Sequence, residues 1–178
     1  MGVGKKIVLV LVLVALVAAA VWLGLSRAKR PAAPGEAAPP ESLMTVTLYF
    51  GAADGSGLVP EARGVEYSDS DLKNLTRVVE ALLAGPAGGG VVLVPAGTTA
   101  KGVYIDDKTA YIDFSQELIA GFPGGSTTEY LLVASIVQTV CGAFAHIDAV
   151  AILVNGEEVD TIGGHLDVSR PLHPKDWR

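Results

Sequence analysis

The side chains able to act as acids, bases, nucleophiles or ligands are few and scattered. The histidines are His146, His165 and His173, and Cys141 is the single cysteine. His165 and Asp167 stand two apart, so on a strand they would share one face and offer two ligands to a cation. A zinc centre needs a third and usually a fourth ligand, and nothing nearby supplies them. One cysteine also excludes an intramolecular disulfide and any Cys-rich metal site. No metal and no cofactor is therefore expected. Ser115, in Asp113-Phe114-Ser115, is not framed by the glycines of a nucleophile elbow, so Asp113 and Ser115 are read as organising the turn after a strand through local amide bonds. The pairs Asp106/Asp107 and Glu157/Glu158 fall in predicted turns, whereas glycoside hydrolysis needs two acids held across a cleft. Gly88, Gly89 and Gly90 lack the Lys and Ser/Thr that follow in a phosphate loop. Cys141 stands among apolar helical residues, which favours an inert thiol, and His146 is placed to cap the last carbonyls of the same helix. Glu129 is spaced to close a capping box with Ser126. A role in recognition would require it to face a groove beside Glu61 or Arg63. No catalytic set is expected. The candidate interaction residues are Glu61, Arg63, Asp113, Ser115 and Glu129.

Charge narrows the partners. The chain has 178 residues, with 13 Lys plus Arg against 19 Asp plus Glu. Five of the bases precede the first acid, Glu36, which leaves eight bases against all 19 acids from residue 31 onward, a net charge of −11. A surface of that sign does not displace phosphate counterions, so nucleic acid is excluded as a partner.

The N-terminus sets the compartment. Residues 1–6 are short and basic, and residues 7–25, IVLVLVLVALVAAAVWLGL, carry no charge. Nineteen helical residues span about 28 Å, close to the hydrocarbon thickness of a bilayer. The run is apolar on every face, is bounded by Lys5, Lys6, Arg27, Lys29 and Arg30, and carries Trp22 near its end, as a membrane interface favours. A cleaved signal peptide could use Ala18 to Ala20, but the apolar run continues through Leu25, so an uncleaved transmembrane anchor is expected. No cysteine lies near it to carry a lipid. The flanking bases alone mildly favour the reverse orientation, yet long C-terminal domains translocate largely regardless of such charges. The expected location is the cell membrane, single-pass, with the C-terminal domain outside the cytoplasm. Residues 26–43 form a Pro/Ala-rich linker, stiff and unable to bury a core.

The remainder, residues 44–172 with a tail at 173–178, reads as strands and two helices. Met44 to Phe50 alternates, with Val46, Leu48 and Phe50 on one face. Leu58 to Tyr67 is a second strand, with Pro60 forcing an edge. Leu72, Leu75, Val78, Val79, Leu82 and Leu83 form a helical stripe, capped at Ser68 with Asp71 and stopped by Gly85-Pro86. Val91 to Val94 is a possible short strand. Val103 to Ile105 and Ile112 to Phe114 form a hairpin around Asp106 to Thr109. A second helix runs from a Ser126 cap to about Gly142, apolar on most sides. Ala149 to Val154 is a central strand, and Asn155-Gly156 turns into a strand at 158–162. The fold class is α+β: a mixed β-sheet with two helices packed on one face.

The segments LYF (Leu48 to Phe50), LVPEARGV (Leu58 to Val65), ALLAGP (Ala81 to Pro86), VPAGT (Val94 to Thr98), YIDFS (Tyr111 to Ser115), SIVQT (Ser135 to Thr139) and ILVNG (Ile152 to Gly156) occur in order. The series resembles the GerMN domain of spore germination and sporulation proteins, over about residues 44–172. The resemblance implies a fold similar to the ring-building α/β modules of envelope complexes, and a domain exported and held at the membrane, sometimes in tandem. The single copy here departs from the tandem sporulation form. It implies no enzymatic residues. The expected function is a non-enzymatic, membrane-anchored, extracytoplasmic interaction module. Its partner would be an envelope protein or a second copy of itself. The alternative is a module binding cell-wall glycan through Tyr49, Tyr104 and Tyr111.

Overall fold

The computed structural model describes residues 42–177. The expected basic N-terminus, transmembrane segment and most of the linker lie outside the described residues. Among those described, no helix is long and apolar enough to cross a membrane.

Strand β1 (Leu43–Gly51) pairs antiparallel with β2 (Leu58–Glu66), running in register from Leu43↔Glu66 to Gly51↔Leu58. Val46, Leu48 and Phe50 are buried, so the alternation in the sequence gives the inner face directly. Helix α1 (Asp71–Leu83) follows. Leu75, Val78, Val79 and Leu82 pack inward, while Leu72, the first residue of the expected stripe, remains 46% exposed. The helix stops at Ala84, and Gly85 takes φ +81°, a conformation that only glycine adopts freely.

A second sheet carries strands β3 (Ala100–Asp106), β4 (Thr109–Phe114), β5 (Ala149–Val154) and β6 (Glu157–Glu158), in that spatial order. β4 and β5 are parallel, from Thr109↔Ala149 to Phe114↔Val154, and the other pairs are antiparallel. A parallel pair needs a crossover. It is supplied by the four-residue α2 (Glu117–Ala120) and by α3 (Ser126–Ala143). Every residue of β5 is buried, as a central strand requires. Leu132, Val133, Ile136, Val137 and Val140 of α3 join the same core as β1, α1 and β5, and the helix is covered on several sides.

The sheet is not one but two, which corrects the expected single mixed sheet. The reason lies at Tyr49. Its backbone N–H donates to Thr139 Oγ1 at 3.0 Å, and its carbonyl accepts from Ser135 Oγ at 2.5 Å. Side chains one turn apart on α3 thus take up the backbone groups of Tyr49 on the edge of β1 away from β2, and no strand pairs there. Beyond Tyr49, Gly51 exchanges both backbone bonds with Val91, so the expected strand at 91–94 reduces to one bridging residue.

The helix caps also differ from expectation. Ser70, not Ser68, caps α1, its side chain accepting from Lys73 N. Asn74, 3% exposed, turns back to accept from Ser68 N and to donate to Ser68 O. The N-cap of α3 is Gly125, at φ +96°, and no side-chain cap bond forms there. The expected Ser126/Glu129 capping box is absent because Glu129 is committed elsewhere.

Candidate functional site

Glu129 is fully buried on α3. Its Oε1 accepts from the amides of Ile162 (3.0 Å) and Gly163 (2.7 Å), and its Oε2 from that of His165 (3.0 Å). Only the first of these donors lies in the segment expected to be a strand, 158–162. β6 is limited to Glu157–Glu158, and Ile162 N bonds a carboxylate instead of a ladder partner. A side chain at Gly163 has no room, since its Cβ would lie 2.3 Å from a Phe122 ring carbon and 3.1 Å from Glu129 Oε2.

Glu61 and Arg63 hold a different loop. They lie two apart on the inner face of β2, opposite Leu48 and Val46, and form an ion pair. Arg63 also donates to Ala81 O at 2.8 Å and Gly85 O at 2.9 Å, capping the end of α1, and sits over the Phe50 ring at 5.6 Å. The Glu61 carboxylate accepts from the amides of Ala87 (3.0 Å) and Gly88 (2.9 Å). The Gly88 amide, with Arg63 and the Ala87 amide, holds the Glu61 carboxyl below the usual carboxylate range. Glu129 and the Glu61–Arg63 pair therefore bind separate backbone segments, 162–165 and 81–88.

Asp113 and Ser115 serve as turn organisers in the same way. Asp113 Oδ1 accepts from Gly156 N at 2.8 Å, and Ser115 Oγ accepts from Thr99 N at 3.0 Å. Each of the five candidates thus fixes a loop to the scaffold. The histidines are dispersed: His146 meets Asp71 at 3.3 Å rather than capping α3, His165 is held through its backbone by Glu129, and His173 Nδ1 faces Asp148 O. Asp167 is occupied by Ser169 and Arg170. No group of three or more His, Cys, Asp or Glu residues able to hold a metal occurs among the described residues. Burial pushes the Cys141 thiol up to about 11, which leaves it protonated and unreactive at neutral pH.

A cavity of about 320 Å³ is lined by Glu61 with Phe50, Val59, Pro60 and Gly88 to Gly90, and a wider groove lies elsewhere. A groove of about 580 Å³ runs between the Gly55–Leu58 turn, Tyr49 on the outer face of β1, and one face of α3. Thr127, Leu131, Ala134 and Gln138 line it from the helix, at spacings of four, three and four. Tyr130 and Trp177 close one end, their ring centroids 5.4 Å apart. Gln138 Nε2 fastens that end by donating to Pro174 O (2.9 Å) and Trp177 O (2.8 Å). No Asp, Glu, His, Lys or Arg lines the groove, although the chain is acidic. The Thr127-to-Gln138 stripe is visible in the sequence as the less apolar face of α3. Trp177, in the tail at 173–178, gives no such signal. Of the three tyrosines proposed for glycan, only Tyr49 reaches the groove. Tyr104 and Tyr111 stack on each other across β3 and β4, centroids 4.8 Å apart and planes 8° from parallel.

The model of the Germane family, described as sporulation and spore germination, matches residues 47–160. The chain belongs to the Germane family, and its fold is GerMN-like. Germane relatives of known structure agree. The first GerMN domain of the sporulation protein GerM from Bacillus subtilis aligns with a TM-score of 0.61 at 25% identity, over 75% of this chain and 99% of that one. The tandem GerMN domains of the same protein give 0.59 at 26% identity, over 76% of this chain and 48% of that one, so this Germane chain spans about half the tandem structure. A protein of Clostridium perfringens assigned as a lipoprotein gives 0.56 at 26% identity, over 80% and 95%. Among curated protein sequences, no relative matches.

Proposed function

We propose that this Germane chain is a non-enzymatic interaction module, held at the membrane with its folded domain outside the cytoplasm, and that the groove beside Tyr49 and Trp177 is its contact site. The observation that supports this reading most directly is the use of the polar side chains. Glu61, Arg63, Asp113, Ser115 and Glu129 each bond loop backbone, and the groove beside Tyr49 presents hydroxyls, a carboxamide and aromatic rings without an Asp, Glu, His, Lys or Arg. Such a surface can bind, and its hydroxyls stand without a neighbouring carboxylate, imidazole or amine in the lining to activate them. Membrane attachment is supported by the apolar 7–25 segment and by the lipoprotein assignment of the Clostridium relative. Because the sole cysteine lies within α3, attachment here would run through residues 7–25. Tethering raises the local concentration of the domain at the membrane, so a modest intrinsic affinity is enough.

The reading is tested by a photo-crosslinking residue placed at Leu131 in the groove and, separately, at Lys175 outside it, in intact cells. We expect one discrete adduct from Leu131, lost when Ala134→Trp fills the groove. Equal adducts from both positions, unaffected by Ala134→Trp, would place the contact elsewhere. Binding of cell-wall glycan is the second reading, with Tyr49 in the groove as its support. It predicts that retention on insoluble cell wall falls on Tyr49→Ala. The mutual stacking of Tyr104 and Tyr111 covers one face of each ring and leaves that pair a poorer sugar platform.

A further inference from the structure

Asn155 and Gly156 form the two-residue turn between β5 and β6, with φ +54° and +81°. Asn-Gly suits such a turn because both positions need positive φ. The same dipeptide is the one most open to cyclisation, since glycine leaves the attacking amide nitrogen unshielded. Here that nitrogen is occupied. Gly156 N–H donates to Asp113 Oδ1 at 2.8 Å. The Asn155 carboxamide is held at both ends: Oδ1 accepts from Lys101 Nζ at 3.0 Å, and Nδ2 donates to Gln116 Oε1 at 3.1 Å. Its backbone N–H donates to Phe114 O at 2.9 Å. The three side chains that hold the turn come from β3, from β4 and from the residue before α2.

We infer that Asn155-Gly156 is a latent deamidation site, kept closed by a lock of Asp113, Lys101 and Gln116, and converted only when the β5–β6 turn opens. In the reaction the Gly156 nitrogen gives up its proton and bonds to Asn155 Cγ. The Cγ–Nδ2 bond breaks and ammonia leaves with the proton. Solvent water then opens the succinimide at either carbonyl, giving aspartate or isoaspartate. Nothing is oxidised or reduced, and water is the only co-reactant. To reach Cγ, the Gly156 nitrogen must turn away from Asp113, and the carboxamide must leave Lys101 or Gln116. The rate therefore follows the population of the opened turn. The product is not neutral to the fold. Aspartate loses the donor to Gln116 and adds charge beside Asp113, Glu157 and Glu158. Isoaspartate adds a backbone carbon to a turn that admits two residues.

The test incubates the full chain and a free peptide of residues 150–160 at mildly alkaline pH, reading isoaspartate and the mass change at Asn155. The wild-type chain is expected to convert about a hundredfold more slowly than the peptide, and Asp113→Ala about tenfold faster than wild type, as loss of one such hydrogen bond implies. Lys101→Ala and Gln116→Ala should each accelerate conversion a few-fold. They keep the test intact should Asp113→Ala fail to fold, with far-UV circular dichroism as the check. Conversion of wild type at the peptide's rate overturns the inference. So does conversion of all three variants at or below the wild-type rate, the latter making Asp113 a promoter of cyclisation.

Discussion

The amide nitrogen of Gly163 lies 2.7 Å from Oε1 of Glu129, 34 positions earlier in the chain. That contact joins the middle of the molecule to its C-terminal loop, and two further amides share the carboxylate. Removing the acceptor leaves one buried and two partly buried donors without their partner, at a cost of about 1–3 kcal/mol for a fully buried one and less for the others. Glu129→Ala is expected to destabilise by about 4 kcal/mol, and Glu129→Gln, which keeps one oxygen but turns an NH₂ toward a donor, by about 2 kcal/mol. Gly163→Ala should also destabilise, because its Cβ would overlap Phe122. Urea unfolding of the three variants checks all of these, and a wild-type midpoint for Glu129→Ala would refute them.

Much of the fold is legible in the sequence, because local periodicity reports local burial. The alternation of Val46, Leu48 and Phe50, the stripe from Leu75 to Leu82 and the Asn155-Gly156 turn all lie where the pattern puts them. What the pattern misses are long-range competitors for backbone groups. Ser126 and Glu129 have capping-box spacing, yet the carboxylate finds three amides more than thirty residues away. Ser135 and Thr139 look like ordinary helical polar residues, yet they take up the Tyr49 backbone groups at the edge of β1. The polar candidates carry functional chemistry by residue type, and their partners show that each holds a loop. The groove leaves no local pattern in the sequence, because two of its aromatics, Tyr130 and Trp177, meet only in the folded chain.

The Tyr49 edge gives a second prediction. Thr139→Val removes the acceptor for Tyr49 N–H while keeping the volume, and Ser135→Ala removes the donor to Tyr49 O. Each is expected to cost about 1–2 kcal/mol. Amide hydrogen exchange at Tyr49 should rise in Thr139→Val and change far less in Ser135→Ala, whose lost bond is at the carbonyl. Unaltered exchange at Tyr49 in Thr139→Val would show that the helix does not protect this edge.

Glu61 gives a pH dependence. Its carboxyl is held below the ordinary range by the Gly88 amide first, then by Arg63 and the Ala87 amide. A group whose folded pKa is depressed contributes stability that is present above its unfolded pKa and is lost as pH falls through the folded value. The 85–88 segment should therefore loosen on acidification below the usual glutamate range, about pH 4. Thermal melts of wild type and Glu61→Gln across acidic and neutral pH provide the check. The difference in Tm between them should be largest at neutral pH and shrink as the solution is acidified. A constant difference would mean that Glu61 titrates alike in both states.

Gln138 gives the prediction closest to function. Its carboxamide holds the C-terminal turn through Pro174 O and Trp177 O, and so positions the ring that closes the groove against Tyr130. Gln138→Ala removes both bonds from a partly buried site and should cost about 1–2 kcal/mol. Its main consequence is local. With Trp22→Phe as background, Trp177 becomes the sole tryptophan, and its emission should shift to the red in Gln138→Ala as the indole, now 8% exposed, gains solvent. The same variant should lose the crosslink expected from Leu131 while the bulk of the domain stays folded, because the strand pairing of both sheets does not run through residues 174–177. Gln138→Glu separates the two effects: it keeps the length of the side chain but presents an anion to two carbonyl oxygens, so it should release Trp177 at least as fully as alanine. An unshifted Trp177 spectrum in both variants would show that the tail is held by ring packing alone.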